Sequence, residues 1–209
     1  VFTEDQGSYL VGMAAALASK TNTVGFIGGM DIPLIRRFGC GYAQGVKAVK
    51  PDATIILNMT GTTPAAWNDP VKGAELAKAQ KAQGADVIYA AAGGTGVGVL
   101  QAAADEGILS IGVDSNQNYL HPGQVLTSMV KRVDTAVFEA FKAGADLQPG
   151  IAVMDLKAGG VDYALDEFNK DLVTTEMHAQ VQAAADKIKS GELVVHDYMA
   201  DNACPAASF

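Results

Sequence analysis

The sequence contains 209 residues, of which 49% are hydrophobic and 18% are charged, a composition typical of a folded globular protein. Its formal net charge is −8, and it has no cluster of Lys and Arg that would neutralise phosphates, which argues against a nucleic-acid partner. The longest apolar run, Tyr9–Ala18, is shorter than the roughly 20 residues of a membrane-spanning helix. The first residues, VFTEDQGSYL, lack the basic region of a signal peptide and are typical of a processed or truncated chain.

Short apolar segments alternate along the chain with segments of helical pattern. The first three are unbroken apolar runs, as expected of strands that are buried on both faces of a sheet. Successive strands are separated by about one βαβ unit, so the sequence predicts an α/β fold with a doubly wound parallel sheet. The predicted strands are Thr23–Ile27, Thr54–Asn58, Asp86–Ala90, Leu109–Val113 and Val125–Val130.

Turn-forming and capping residues mark the ends of several predicted helices. Asp69 and Pro70 form an N-cap followed by a proline at the first helical position. Gly84 and Gly107 stand where helices end, and Asp134 is predicted to cap the helix after the fifth strand. The predicted helices are Tyr9–Lys20, Leu34–Val49, Val71–Gln83, Val97–Glu106, Thr135–Lys142 and Thr175–Ser190.

The last third of the chain departs from this alternation. Ile151–Leu156 and Val161–Leu165 are short apolar segments on either side of the residues Ala158, Gly159 and Gly160. Such a glycine turn between two apolar segments predicts a β-hairpin.

The sequence gives little support for catalysis, and we expect neither an enzyme nor a cofactor. It contains no GxSxG motif, and His121, His178 and His196 all lie away from the strand ends. The spacing of Cys40 and Cys204 fits neither a metal site nor a CxxC pair. Two free thiols are favoured for them, and a single disulfide is the alternative in an oxidising compartment.

The residues that follow the predicted strands are the candidate binding residues, because ligands of open parallel sheets bind beyond the carboxyl ends of the strands. Taken singly, Asp31 and Asp114 could be caps, Trp67 could close a loop over the core, and Lys131 could be a solvated charge. Together they place an aromatic face, a carboxylate, an ammonium group and a glycine-lined helix N-terminus at one edge. This set suits a neutral polar ligand that contains a ring. The candidates are Met30, Asp31, Trp67, Gly93, Gly94, Asp114 and Lys131.

The glycine-rich stretch AAAGGTGVGV does not match a dinucleotide-binding fingerprint. Counted from Gly94, the GxGxxG pattern places Val99 where the third glycine should stand. Counted from Gly96, it places Gln101 there, and no GK[ST] follows as a P-loop would require. We therefore expect these glycines to bring backbone N–H groups close to a ligand other than a dinucleotide.

Several long segments resemble the basic membrane protein family of ABC-transporter substrate-binding proteins, which includes purine-nucleoside receptors. The resemblance extends from residue 2 to about residue 190, with the segments in the family's order. They read EDQGSYLVG, VGFIGGMDIPLIRRFGCGYAQG, WNDPVKG, GADVIYAAAGGTGVGV, IGVDSNQ and VLTSMVKRVDTAV.

The resemblance implies a type I periplasmic-binding-protein fold, in which a ligand lies between two Rossmann-like parallel-sheet lobes. Family members carry a further segment ahead of VFTEDQGSYL that builds most of the first lobe, so we expect this lobe to be incomplete. Residues 1–22 would be its remnant, and residues 23–131 would form the C-terminal ligand-binding lobe. Residues 132–209 would form the hinge return, a hairpin and a C-terminal helix shared between the lobes.

The resemblance also implies roles for individual residues. Trp67 would stack on one face of the base, and Asp114 and Lys131 would hold the ribose hydroxyls. The remaining implied contacts are Gly94 and its neighbour Gly93, which would lie against the ligand, and Glu4 or Asp5, which would lie near the sugar.

The expected function is solute binding for an ABC importer, in the periplasm or anchored on the outer face of the inner membrane. A nucleoside is the expected ligand, and a permease of the inner membrane is the expected partner. Because 209 residues offer half of a cleft, we predict weak or no binding by this chain alone. The alternatives are the effector-sensing domain of a transcription regulator, a sugar-binding protein of the same fold, and a small α/β enzyme.

Overall fold

The computed structural model describes residues 1–209 and contains a six-stranded sheet with helices on both faces. The strand order is β2-β1-β3-β4-β5-β6, in which all neighbours are parallel except the antiparallel pair β5 and β6. The carboxyl ends of the first five strands therefore lie at one edge. The strands are β1 Thr23–Met30, β2 Thr54–Gly61, β3 Val87–Ala91, β4 Leu109–Asp114, β5 Val125–Lys131 and β6 Val161–Tyr163.

Apart from the start of the first helix, the helices begin and end within a few residues of their predicted bounds. The Asp69 carboxylate accepts a hydrogen bond from the Lys72 amide at 2.9 Å, as the predicted N-cap requires. Gly191 adopts the left-handed conformation that ends the sixth helix at its predicted residue. The helices are α1 Glu4–Ala18, α2 Pro33–Val49, α3 Pro70–Ala82, α4 Gly94–Asp105, α5 Val133–Ala143, α6 Thr175–Ser190 and α7 Tyr198–Asp201.

Two hydrophobic cores lie on opposite faces of the sheet. Successive residues of β1 point to opposite faces, so that Phe26 belongs to the larger core and Ile27 to the smaller one. Helices α1, α2 and α6 cover the larger core, and α3 and α4 cover the smaller one. The rings of Phe26, Tyr42 and Tyr89 meet in the larger core, where the centroid of Tyr89 lies 5.4 Å from that of Tyr42.

The first helix begins earlier than its apolar pattern suggests and belongs to the larger core. It starts at Glu4 rather than Tyr9, because the buried acidic residues Glu4 and Asp5 form its first turn. Leu10 and Val11 are fully buried in the same core as β1 and α2. The segment expected as a remnant of another lobe thus packs within this one, and the division of the intact protein into lobes stays a prediction.

The predicted hairpin over residues 151–165 is wrong, although its glycine turn is present. The arm before the turn pairs with the start of the chain, where Met154 and Phe2 form a parallel bridge. The arm after the turn is β6, which pairs with β5 through Val161 and Lys131. Each arm pairs with a segment that is distant in sequence, and a local turn pattern does not predict such pairing.

Three smaller expectations also need correction. Strand β2 is only half-buried, because it forms an edge of the sheet and has no neighbour on its outer side. Asp134 lies within the first turn of α5 and bonds to Arg132 instead of capping the helix. Cys40 and Cys204 are joined by a disulfide bond, so the favoured expectation of two free thiols is wrong.

Helix α5 and the segment after it expose an unusual number of apolar side chains. No residue of α5 is buried, and Phe141 is 82% exposed. The N-terminal amine of Val1 lies beside this segment and donates to the Ala152 carbonyl oxygen at 2.7 Å. None of the helices is both long enough and apolar enough to cross a bilayer. The exposed apolar set is Val133, Val137, Phe138, Phe141, Leu147, Ile151 and Val153, which we call the α5 patch.

Candidate ligand site at the strand ends

The parallel register brings most of the predicted binding residues to one edge of the sheet. Met30 ends β1, Asp114 ends β4 and Lys131 ends β5, and Asp114 lies opposite Val130 of the neighbouring strand. Adjacent strands are about 4.8 Å apart, so residues at these ends lie within reach of one small molecule.

Trp67 lies across the ends of β1 and β3, although it follows β2 in sequence. One part of its indole ring covers Gly29, where a Cβ atom would collide with ring atoms Cζ3 and Cε3. Gly93, which has φ +57°, lies beside the same ring, and a Cβ atom there would be 3.5 Å from Trp67 Cε3. The side chain is half-buried, so the ring is supported by backbone while part of it stays accessible.

The loop that carries Trp67 is fastened to the start of α4 by Thr95. The buried Thr95 hydroxyl donates to the Ala66 carbonyl oxygen at 2.8 Å and accepts from the Asp69 amide at 2.7 Å. Gly94, the first residue of α4, is crowded by this loop, since a Cβ atom there would lie 3.1 Å from Trp67 O. The glycines thus allow the loop and the helix to approach closely, which positions Trp67.

Asp114 is held in a backbone conformation that few residues other than glycine adopt. Its φ is +64°, and its side chain is 59% exposed at the sheet edge. Next to it, the side-chain oxygen of Gln117 accepts from the backbone N–H of Val113 at 2.9 Å. The backbone N–H of Gln117 donates to the Ser128 hydroxyl at 3.0 Å. Backbone strain that neighbouring hydrogen bonds maintain is common at functional sites.

Lys131 joins the acidic start of α1 to the end of β4. Its ammonium nitrogen lies 3.3 Å from Glu4 Oε1 and 3.8 Å from Asp114 Oδ1. The same nitrogen lies 5.3 Å from the Phe2 ring centroid and 5.9 Å from that of Phe38, within the range of cation–π interactions. The two rings shield the ammonium group, whose side chain is 21% exposed, and both were missed in the sequence.

Arg37 is a further residue of this cluster that the sequence did not identify. Its guanidinium donates to Glu4 Oε2 at 3.0 Å and to the Phe2 carbonyl oxygen at 2.9 Å, and it lies 2.9 Å from Asp5 Oδ1. The one available signal is that a first helical turn containing two buried carboxylates needs a cation nearby.

Burial raises the pKa of Asp5 to about 6, since loss of hydration outweighs the attraction of Arg37. The neighbouring charges of Asp197 and Glu4 act in the same direction as burial. The contact of Asp5 Oδ1 with Arg37 Nε is an ion pair without the alignment of a hydrogen bond, which weakens the opposing effect.

Asp31 lies apart from this cluster. Both of its carboxylate oxygens accept from Arg36, at 2.7 and 2.9 Å, and this pairing lowers the pKa of Asp31. The N-cap position of α2 belongs to Ile32, so Asp31 is not the helix cap either. Met30 is half-buried and faces Gly61 across the β1–β2 ladder.

The assembled edge can bind a polar ligand through an aromatic face, hydrogen-bond acceptors and an ammonium donor. Four carboxylates surround two cationic side chains, which leaves an excess of negative charge that disfavours phosphorylated ligands. No three His, Cys, Asp or Glu side chains are grouped as they would be around a metal ion. The four carboxylates belong to Glu4, Asp5, Asp114 and Asp197, and the cations to Arg37 and Lys131.

Comparisons with known sequences agree on one family. The profile of the PnrA-like ABC transporter substrate-binding proteins, named Bmp, matches residues 1–198. The ABC transporter nucleoside-binding protein BmpA of Lactococcus lactis subsp. cremoris is 37% identical over 93% of this chain and 58% of its own length. Basic membrane protein D of Borreliella burgdorferi is 30% identical over 93% of this chain and 61% of its own length. The chain thus spans about three-fifths of these relatives.

Solved structures show the same fold. A solute-binding protein of an ABC transporter system from Aeropyrum pernix K1 superposes with a TM-score of 0.81 at 27% identity, covering 94% of this chain and 66% of its own. A protein of Bacillus halodurans described as a transcriptional activator of the comK gene gives a TM-score of 0.82 at 26% identity, covering 93% and 66% of the two chains.

Proposed function

Because the chain belongs to the PnrA-like family of ABC transporter substrate-binding proteins, we propose that it binds a nucleoside at the strand-end edge for import. The observation that carries this proposal is the position of Trp67, which offers a supported aromatic face at the same sheet edge as the ion pair of Asp114 and Lys131. The nucleoside-binding relative from Lactococcus lactis supports the choice of ligand class.

The three side chains have complementary roles in this proposal. Trp67 stacks on the base. Stacking depends little on which base is bound, because every base has a π-face. The Asp114 carboxylate accepts hydrogen bonds from ribose hydroxyls, and the Lys131 ammonium group donates to them. The excess of carboxylates at this edge favours the uncharged nucleoside over its phosphorylated forms.

Only one wall of a binding cleft is accounted for by these residues. The chain spans 58% of the length of its nucleoside-binding relative, and the α5 patch leaves apolar surface uncovered beside Val1. We propose that in the intact protein a second lobe covers the ligand from the opposite side. Closure of the lobes around the ligand would then produce the form that a permease recognises.

The disulfide between Cys40 and Cys204 supports a location outside the cytoplasm, since disulfides persist in oxidising compartments. We therefore propose that the protein works in the periplasm or on the outer face of the inner membrane. Labelling of free thiols in freshly isolated protein tests this placement, and two reactive cysteines would contradict it.

A regulatory protein is the second candidate, because the Bacillus halodurans neighbour is described as a transcriptional activator. In that case the strand-end edge would bind an effector, and a separate part of the intact protein would bind DNA. The net charge of −8 makes the present chain a poor DNA-binding surface. Specific binding of promoter DNA by the intact protein would favour this candidate over transport.

Calorimetric titration of the protein at its natural length with adenosine, ribose and adenosine monophosphate tests the proposal. We expect adenosine to bind, ribose to bind much more weakly, and the monophosphate to be rejected. Trp67→Ala should weaken adenosine binding about tenfold or more, the equivalent of one lost base–aromatic stack. Trp67→Phe keeps an aromatic face and should retain most of the affinity. Equal affinities of ribose and adenosine would contradict the nucleoside proposal.

A further inference from the structure

Arg37 connects three separate parts of the chain at the base of the candidate site. Its guanidinium contacts Glu4 and Asp5 in the first turn of α1. Its Nη2 group donates to Asp197 Oδ2 at 2.9 Å, in the C-terminal tail that precedes α7. The Arg37 side chain is largely buried, and a buried guanidinium with several partners is fixed in orientation.

Glu4 connects Arg37 to Lys131 of the candidate site. One of its oxygens accepts from Arg37 Nη1 at 3.0 Å, while the other lies 3.3 Å from Lys131 Nζ. The carboxylate therefore lies between the two cations and cannot turn toward one without weakening its contact with the other. The shared carboxylate thus links the Lys131 ammonium group to Arg37.

The tail that carries Asp197 is fastened to α2 at several points. The disulfide joins Cys204 of the tail to Cys40 on α2. The Gln44 side chain forms two hydrogen bonds with the backbone of His196, at 2.8 and 2.9 Å. The ring of Phe209 lies against Gly39, where a Cβ atom would be only 2.8 Å from it. The family profile ends at residue 198, so that His196 and Asp197 lie within it and Cys204 and Phe209 lie beyond it.

We propose that Arg37 is a positioning residue for Lys131, and that the disulfide-fastened C-terminal tail holds Arg37 in place through Asp197. The tail is then a supporting part of the ligand site rather than a passive end of the chain. The part of this inference that concerns ligand binding rests on the proposed function. The arrangement of charges can be tested without a ligand.

Asp5 is an internal reporter of this arrangement. Its pKa is lowered by the charge of Arg37 and raised by that of Asp197, so the two residues have effects of opposite sign. The charged groups around it are Glu4 on the same helix, Arg37 on α2 and Asp197 in the tail, with Lys131 of β5 reached through Glu4. General loosening of the cluster would instead bring the pKa of Asp5 toward the value of 3.8 of a hydrated aspartate.

The experiment is a titration of the Asp5 carboxyl carbon by NMR in the protein at its natural length and in single variants. We expect Arg37→Gln to raise the pKa of Asp5, because the attraction of the guanidinium for the carboxylate is lost. Lys81→Gln removes a cation that pairs with Glu106 on the opposite face of the sheet, and it should leave the pKa of Asp5 unchanged. A fall toward 3.8 in Arg37→Gln, or no change in it, would overturn the proposal.

Adenosine titration of the same variants supplies the second measurement. Arg37→Gln and Asp197→Asn should each weaken adenosine binding, by about tenfold for Arg37→Gln, which corresponds to one charge-assisted hydrogen bond. Arg37→Lys keeps the charge but not the forked geometry, so its affinity should be intermediate. Unchanged adenosine affinity in Arg37→Gln would overturn the positioning role. If the unsubstituted protein fails to bind adenosine, the proposed function fails, while the Asp5 titration still decides the arrangement of charges.

Discussion

The indole ring of Trp67 lies on the backbone of Gly29, in the place that a side chain at that position would occupy. The contact joins the end of β1 to the loop after β2, and Thr95 fastens this loop from the other side. The candidate stacking residue is therefore oriented by its surroundings before any ligand arrives, which lowers the entropic cost of binding.

We expect Gly29→Ala to displace the Trp67 ring and to destabilise the protein by about 1–3 kcal/mol, as overpacking generally does. Trp67 is the single tryptophan of the chain, so its fluorescence reports the displacement directly. The emission maximum should move to longer wavelength as the ring becomes more hydrated. Gly61→Ala is the matched control, since a Cβ atom there meets Ala66 at an ordinary 3.5 Å. An unchanged emission spectrum in Gly29→Ala would contradict the packing described.

The left-handed backbone conformation of Asp114 leads to a second prediction. It distinguishes the effect of this residue on folding stability from its effect on adenosine affinity. With φ at +64°, Asp114→Gly should relieve strain, whereas Asp114→Ala should be less stable than the glycine variant by about 1 kcal/mol. Both variants lack the carboxylate, so both should lose adenosine affinity. Chemical denaturation and calorimetric titration measure the two effects separately. Equal stability of the Ala and Gly variants would indicate that the strain is absent in solution.

The sequence was most informative where one strand or helix determines its own structure. The apolar runs predicted five strands, and the Asp69 cap and Gly191 marked helix ends correctly. Because parallel strands share an edge, the positions of Asp114 and Lys131 also followed from the strand ends alone. These predictions required no knowledge of how distant segments meet.

The sequence was least informative where distant segments compete for the same partner. Arg36 and Arg37 are adjacent on α2, and their side chains leave the helix in different directions. Arg36 pairs with Asp31, whereas Arg37 pairs with the acidic start of α1. Which arginine faces α1 depends on helix packing that no local pattern encodes. The failed hairpin has the same cause, since its first arm pairs with Phe2 at the far end of the chain.

The α5 patch provides a third prediction, about association in solution. Large contiguous apolar surfaces mark contact sites or promote aggregation. We expect the double variant Phe138→Ser, Phe141→Ser to reduce self-association of the 209-residue chain, measured by sedimentation velocity over a range of concentrations. Val71→Ser is the matched control, because Val71 is 69% exposed but lies on α3, away from the patch. Equal self-association of the double variant and the unsubstituted chain would exclude the patch as the cause.

The fourth prediction is that Asp5 and Asp31, each beside an arginine, affect stability with opposite dependence on pH. The pKa of Asp5 is raised from 3.8 to about 6 by burial, so its ionisation is less favourable in the folded than in the unfolded protein. Its contribution to stability is complete below the unfolded pKa and is lost as the pH rises through about 6. The pKa of Asp31 is lowered by hydrogen bonds from Arg36, so its contribution is present above the unfolded pKa and is lost as the pH falls.

Urea denaturation of Asp5→Asn and Asp31→Asn from about pH 2 to about pH 8 measures both effects. Relative to the unsubstituted protein, Asp5→Asn should gain up to about 3 kcal/mol between the two ends of this range, since one pKa unit corresponds to about 1.4 kcal/mol. Asp31→Asn should instead lose stability as the pH rises from below the unfolded pKa of this aspartate. If the stability of both variants, relative to the unsubstituted protein, changed with pH in the same direction, the different alignment of the two arginine–aspartate pairs would not determine the pKa values of Asp5 and Asp31. Opposite slopes would show that burial prevails at Asp5, where the ion pair is poorly aligned, and that hydrogen bonding prevails at Asp31.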